Sequence, residues 1–163
     1  MDESTVQETV DYIAIQRVQA AYADAVNRRA WPEFESIFAP DAVVTIDRRV
    51  GTTLELNGPR AVGDFIGAAI ERFDFFEFVI LNVTMTLQAR GDPDVAAGRM
   101  YMCELRHERE NGQRTTAFGV YHDRYARTDG RWRIAHRTYH SIARTGHELD
   151  VFGFPETLSA FLA

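Results

Sequence analysis

Four long runs separated by short polar turns decide what this chain can fold into. FVILNVTMTLQA, VAAGRMYMCELRHE, QRTTAFGVYHDRYAR and RWRIAHRTYHSIA are rich in β-branched and aromatic residues, and GDPD, NG and DG stand between them. Such a series predicts a meander of four long strands whose turns set the register. Ahead of it the period is helical. From Val10 to Val26, the residues Ile15, Val18, Tyr22 and Val26 recur with Ala14, Ala21 and Ala25 on one face of a long helix. PEFESIFA predicts a short second helix with proline in its first turn, closed by Pro40. AVVTIDRRVGTTLELNG reads as a hairpin of two short strands. PRAVGDFIGAAIERF reads as a third helix, with Val62, Phe65, Ile66, Ala69, Ile70 and Phe73 in one stripe. Helices first and an antiparallel sheet afterwards make an α+β domain in which a strongly bent sheet wraps the helices.

The length of 163 residues fits a single domain, 1–163, that buries roughly 70% of the surface its unfolded form exposes. Residues 145–163 are expected to form a C-terminal extension, with Pro155 opening a short apolar helix. One cysteine, Cys103, leaves no intramolecular disulfide and no paired Cys/His spacing for zinc, so a reducing cytoplasm and no metal are expected. The N-terminus MDESTVQETVDY is acidic where a signal peptide would be basic and then apolar. The most hydrophobic run, FDFFEFVILNV, carries Asp74 and Glu77 and is far shorter than a membrane span. A net charge of −6 without a basic stripe argues against nucleic acid.

Asp24, in YADAVNRRAW, stands out as a lone acid among apolar residues. It lies about 160° around the helical wheel from Tyr22 and Val26 and four residues before Arg28, the position of a solvated i,i+4 pair rather than of a catalyst.

The turns give a different pair. A two-residue turn at Asp129-Gly130 sets Tyr125 opposite Ile134, Asp123 opposite His136, Tyr121 opposite Thr138 and Gly119 opposite His140. Trp132 and Ile134 mark that face as inward, so Asp123 and His136 are expected side by side in the interior. A two-residue turn at Asn111-Gly112 sets Glu104 opposite Gly119 and Met102 opposite Tyr121, with Gly98 and Met100 on the same face. Glycine at 119 would then leave space over the sheet in front of the Glu104 carboxylate. The opposite face carries Tyr101, Cys103, Leu105, Phe118 and Val120, apolar enough to predict a homodimer through the outer sheet face.

Together these residues predict a pocket lined by Tyr22, Met100, Met102, Glu104, Tyr121, Asp123, His136 and His140, mostly apolar with a few convergent polar groups. An acid–histidine pair moves protons, and a tyrosine hydroxyl stabilises an oxyanion between them. The chemistry would be elimination, isomerisation or aldol-type cyclisation without a cofactor. Each residue also has a plain structural role open to it: Asp123 and His136 as a mutually satisfied pair, Glu104 as a partner of Arg106 or Arg137, the tyrosines as core aromatics. One β-bulge would turn a whole set of side chains outward.

The element order and the stretches AAYADAVNRRAWPEFESIFAPDAVV, LNGPRAVGDFI and GVYHDRYARTDGRWRIAHR resemble the SnoaL-like branch of the nuclear transport factor 2-like superfamily, from about Val10 to Ala143. The resemblance implies a cystatin-like, cone-shaped α+β barrel with one deep pocket, often dimeric. It is shared by scytalone dehydratase, bile acid 7α-dehydratase, ketosteroid isomerase, limonene epoxide hydrolase and polyketide cyclases. By that resemblance Asn27 stands where the dehydratases carry an acid, and Phe78 where they carry a histidine. Tyr22 matches the helix tyrosine of the bile acid enzyme, and Glu104 lies near its strand aspartate. Tyr121 falls where scytalone dehydratase has a pocket asparagine, and Asp123 where polyketide cyclases have their catalytic aspartate. The expected catalytic set is therefore Asp123, His136, Glu104 and Tyr22, with Asn27, Phe78, Met100, Met102, Tyr121 and His140 against the substrate. Three functions compete: a lyase or isomerase for a hydrophobic oxygenated cyclic compound, a binding protein that has lost the chemistry, and an assembly subunit resembling the small subunit of aromatic-ring dioxygenases.

Overall fold

The computed structural model describes residues 2–146, 150–153 and 155. Helix α1 (Glu3–Arg28) opens on Asp2, whose carboxylate accepts from the Thr5 N–H at 2.8 Å, and closes on Arg29 in the left-handed region. A single 3-10 turn, Trp31–Glu33, leads into the short α2 (Phe34–Ile37), which ends before Pro40 because β1 (Phe38–Asp47) has already begun. Strand β2 (Leu54–Asn57) completes the first hairpin and runs into α3 (Gly58–Ile70). The meander follows as β3 (Phe73–Leu87), β4 (Val95–Glu108), β5 (Arg114–Thr128) and β6 (Arg131–Thr145), and a two-residue β7 (Asp150–Val151) pairs with β6. The remainder of the expected C-terminal helix lies outside the described residues.

The strand order is β2-β1-β6-β5-β4-β3. All neighbours are antiparallel except β1 and β6, which run parallel, so the sheet is mixed where an antiparallel one was expected. The path does not close on itself. This is the α+β, cystatin-like arrangement: three helices held against the inner face of a long curved sheet.

Helix α1 is pinned by polar as well as apolar groups. Its buried stripe, Asp11, Ile15, Gln19, Tyr22 and Val26, follows the helical period, yet includes an acid and an amide. Asp11 accepts from Arg127 Nη1 at 2.6 Å and from Trp132 Nε1 at 2.9 Å. Gln19 Nε2 donates to the Tyr125 hydroxyl at 2.8 Å. At the helix end, the Asn27 amide accepts from the Phe78 N–H at 2.7 Å and donates to the Phe78 carbonyl at 3.0 Å. Asp24, as expected, is solvated and bonds Arg28 one turn on, with Nε to Oδ2 at 2.8 Å.

Two details of register position everything inside the sheet. Asp129 and Gly130 both have positive φ, 53° and 70°, the conformation of a two-residue hairpin turn, and Tyr125 faces Ile134 as the turn dictates. Then the pairing shifts by one residue, so that Arg124 meets His136 and Asp123 meets Arg137. At the other end of β5, the Asn111-Gly112 loop is longer than two residues, with the Gly112 N–H bonded to the Glu108 carbonyl at 2.9 Å. Met102 therefore faces Gly119, Met100 faces Tyr121 and Glu104 faces Ala117. That slip is two residues, so every side chain keeps its expected face, whereas the one-residue shift in β6 exchanges faces.

Candidate functional site

A cavity of about 340 Å³ lies between α3 and the inner face of the sheet. One wall is the apolar stripe of α3, Val62, Phe65, Ile66, Ala69 and Ile70, continued by Phe73, Val44 and Ile46. The other is polar, with Tyr22, Tyr121, Tyr139 and Glu104 among the arginines Arg48, Arg72, Arg106, Arg137 and Arg144.

The shift in β6 explains the polar wall. Asp123 is fully buried, but its inward partner is Arg137, not His136. Arg137 Nε and Nη2 donate to the two Asp123 oxygens, each at 2.7 Å, and the Tyr125 hydroxyl donates to Oδ2 at 2.7 Å. Gln19 completes the chain from α1. Arg137 lines the cavity and Asp123 stands behind it, off the wall. The guanidinium packs into the corner of two nearly perpendicular aromatic rings, 4.2 Å from the ring centres of both Tyr22 and Tyr121. Although burial opposes its charge, the Asp123 carboxylate more than offsets that and keeps Arg137 protonated. Its remaining nitrogen, Nη1, is buried and has no hydrogen-bond partner among the described residues.

The two phenols meet at 3.4 Å, hydroxyl to hydroxyl. Burial pushes Tyr22 up, with Arg137 drawing it partly back, and burial together with Tyr22 pushes Tyr121 well above the usual phenol range. Both therefore remain hydroxyl donors at neutral pH. Phe78 is a packing element: its ring stands edge-on to Tyr22 at 5.4 Å and stacks on Tyr121 at 6.0 Å.

Glu104 reaches the cavity but is bound by Arg106, whose Nε donates to Oε2 at 2.9 Å and whose Nη2 closes on the same oxygen. The space expected over Gly119 is filled. A Cβ at that position would run into the Tyr139 ring and the Met102 sulfur. Met100 and Met102 are fully buried in the core beneath the cavity.

The histidines do not join this group. Alternation along β6 turns Arg137 and Tyr139 inward, and His136, Thr138 and His140 to the outer face. His136 is partly buried opposite Arg124, and burial, reinforced by Arg124, lowers its pKa. The His140 ring is 5.5 Å from that of His122, and its Nε2 is 3.9 Å from Asp47 Oδ2. The expected Asp123–His136 pair is thus replaced by Asp123–Arg137, and Asn27 serves as the clamp on Phe78. No group of three or more acidic, histidine or cysteine side chains suited to a metal occurs among the described residues. No helix among them is long and apolar enough to cross a membrane.

Sequence reasoning missed Arg137 as a site residue because a single bulge decides it. It named Arg106 only as a partner of Glu104, which the structure bears out, and missed Arg48, Arg72 and Arg144, which occupy turn and strand-end positions without periodicity. The stripe of α3 was visible in the sequence, though not its place on the cavity wall.

Comparison with known proteins agrees with this architecture. The SnoaL-like domain family matches residues 7–138. Among solved structures, a hexachlorocyclohexane dehydrochlorinase (LinA) of type 2 aligns with a TM-score of 0.76 at 20% identity, covering 93% of this chain and 99% of its own. A candidate scytalone dehydratase from Novosphingobium aromaticivorans aligns at 0.76 and 17% identity, with the same coverage. An NTF2-like protein with a cystatin-like fold from the same organism aligns at 0.72 and 16% identity, covering 98% and 94%. At these identities the likeness is one of fold. No curated protein matches the chain.

Proposed function

The chain belongs to the SnoaL-like family, and on that premise we propose that its cavity binds a small, hydrophobic, oxygenated ring compound and performs cofactor-independent acid/base chemistry on it. The observation that carries this reading is Arg137 Nη1, a buried donor with no hydrogen-bond partner among the described residues, on a guanidinium packed against two phenols in the polar wall that faces the apolar stripe of α3. A buried donor left unsatisfied costs about 1–3 kcal/mol, which a ligand oxygen would recover.

A carbonyl oxygen seated there receives hydrogen bonds from Arg137 and from Tyr121 or Tyr22. Glu104, whose charge is felt at both phenols, is the carboxylate positioned on the wall to take a proton from the adjacent carbon. The C–H bond breaks, its electron pair moves onto the oxygen, and the donors stabilise the enolate. Return of the proton elsewhere completes an isomerisation; departure of a β-substituent completes an elimination. The neighbours described as a dehydrochlorinase and a candidate dehydratase lend weight to elimination. Asp123 acts through Arg137 as a positioning residue, and the outer-face His136 and His140 lie outside this scheme.

A substrate screen with tetralones and related cyclic ketones tests the reading. Glu104→Gln is expected to abolish turnover of any substrate found while leaving its binding within about threefold. Turnover unaffected by that substitution would refute the assignment of Glu104. Binding without turnover favours the second reading, a carrier, which the Glu104–Arg106 bond supports. We further propose that one SnoaL-like domain, with 145–163 as its extension, works in the cytoplasm as a homodimer through the outer sheet face. Phe75, Leu105 and Phe118, exposed by 51%, 37% and 36%, support that surface. Light scattering showing a monomer would remove the dimer, and a different protein held there would favour an assembly subunit.

A further inference from the structure

We infer that the ligand is an acid, its carboxylate seated on Arg48 and Arg144 at the cavity mouth while a neutral oxygen reaches Arg137 at the bottom. This rests on the reading of the cavity as a binding site and adds the chemical class of what enters it.

The chain carries a net charge of −6, yet the cavity wall runs the other way, with five arginines against one carboxylate. Every one of the 18 basic residues is arginine, none lysine, so the wall presents planar donor forks suited to carboxylates. Three of the five are already matched: Arg137 by Asp123, Arg106 by Glu104, and Arg72 by Glu108 at 3.4 Å. Arg48 and Arg144 have no ion-pair partner among the side chains the structure describes. The Arg144 side chain is anchored to the Arg48 main chain, its Nη2 donating to the Arg48 carbonyl at 2.7 Å while its Nε donates to Ser141 Oγ at 3.2 Å, and both side chains line the cavity. Two cations on one cavity wall, without a counter-charge among the described side chains, are both relieved by one bound anion.

The depth of each arginine assigns the seats. Arg137 is 1% exposed and already neutralised by Asp123. A second carboxylate brought to it would place two anions on one buried cation, so that seat takes a neutral carbonyl or hydroxyl oxygen. Arg48 is exposed and Arg144 partly so, and a charge held there keeps much of its hydration. Between the two seats runs the apolar stripe of α3, which fits a ring system. The ligand class is therefore a ring-containing acid with a second, uncharged oxygen at the far end.

The probe is 6-hydroxy-2-naphthoate, with its methyl ester as the matched neutral compound, titrated calorimetrically at low and high salt. The acid is expected to bind about tenfold more tightly than the ester at low salt, with the gap narrowing at high salt. Arg48→Gln and Arg144→Gln are each expected to narrow the gap while leaving ester affinity in place. The Arg48 side chain is exposed and makes no hydrogen bond or ion pair among the described residues, so its variant is informative even if the Arg144 variant unfolds. Equal binding of acid and ester overturns the acid seat and leaves the cavity reading intact, as does a gap that both substitutions leave unchanged. Failure of both compounds to bind overturns the acid seat together with the cavity reading.

Discussion

Arg137 and Asp123 form a fully buried, two-point ion pair, 1% and 0% exposed at the side chain, with the guanidinium packed against both Tyr22 and Tyr121. The pair joins the core to the cavity. Its carboxylate side is tied through Tyr125 and Gln19 to α1, and its cationic side faces the ligand space. Removing one member of such a pair leaves an uncompensated charge in the interior, which typically costs 3–5 kcal/mol. Arg137→Met is expected to lower the stability read from urea unfolding by about that amount. The double variant Arg137→Met, Asp123→Leu is expected to recover a large part of the loss. Additive losses in the double variant would show that the two residues do not act as a unit.

Acid should weaken the fold through the outer-face histidines. Burial, with the nearby charges of His140 and Arg99, pushes His122 down to about 4. The unfolded chain takes up that proton near 6.5, so between these values the unfolded state binds more protons than the folded one and stability falls as pH drops. His136 and His140 are also lowered, chiefly by burial, and act in the same direction. Unfolding free energy measured from pH 7 to pH 4.5 is expected to decline by about 2–3 kcal/mol on account of His122. His122→Gln should flatten the profile. A profile of unchanged slope in that variant would assign the acid sensitivity to other groups.

The fold was legible because its signals are redundant. Four strands, three helices and their order follow from periodicity that no single residue can upset, and even the misjudged Asn111-Gly112 loop moved β4 against β5 by two residues and preserved the faces. The site was less legible because its identity hangs on one extra residue. The bulge beside Tyr125 carries no glycine or proline to announce it, and it exchanges His136 for Arg137 opposite Asp123. Polar residues on α1 were hidden for a related reason. Asp11 and Gln19 occupy buried positions because Arg127, Trp132 and Tyr125, far away in sequence, supply their partners.

Asn27 tests whether the amide at the end of α1 is structural. Only a group with both a donor and an acceptor can satisfy the Phe78 N–H and carbonyl at once, and the Asn27 side chain does so at 2.7 and 3.0 Å. Asn27→Asp retains the acceptor and sets a charge against the Phe78 carbonyl. It is expected to cost about 1–2 kcal/mol at pH 7 in urea unfolding, with the loss shrinking as the carboxylate is protonated. Because Phe78 stacks on Tyr121, the variant should also weaken ligand binding. An unchanged unfolding midpoint would mean that the clamp contributes nothing to holding α1 on β3.

Gly119 leaves room for the Tyr139 ring, which lines the cavity. The Tyr139 ring lies so close over its Cα that a methyl group there would overlap Cε2 and press on the Met102 sulfur. Tyr139 lines the cavity and stands 5.4 Å from the Tyr121 ring, so a push on one aromatic ring is passed to the other. Gly119→Ala is expected to destabilise by about 1–3 kcal/mol, as overpacking of a filled core does. It should also reduce ligand affinity, because the displaced Tyr139 ring moves toward the ligand. Combining it with Tyr139→Leu, which removes the ring from above residue 119, is expected to restore most of the stability lost in the single variant. If the pair is no more stable than Gly119→Ala alone, the conflict lies with the Met102 sulfur, and shortening Met102 becomes the compensating change.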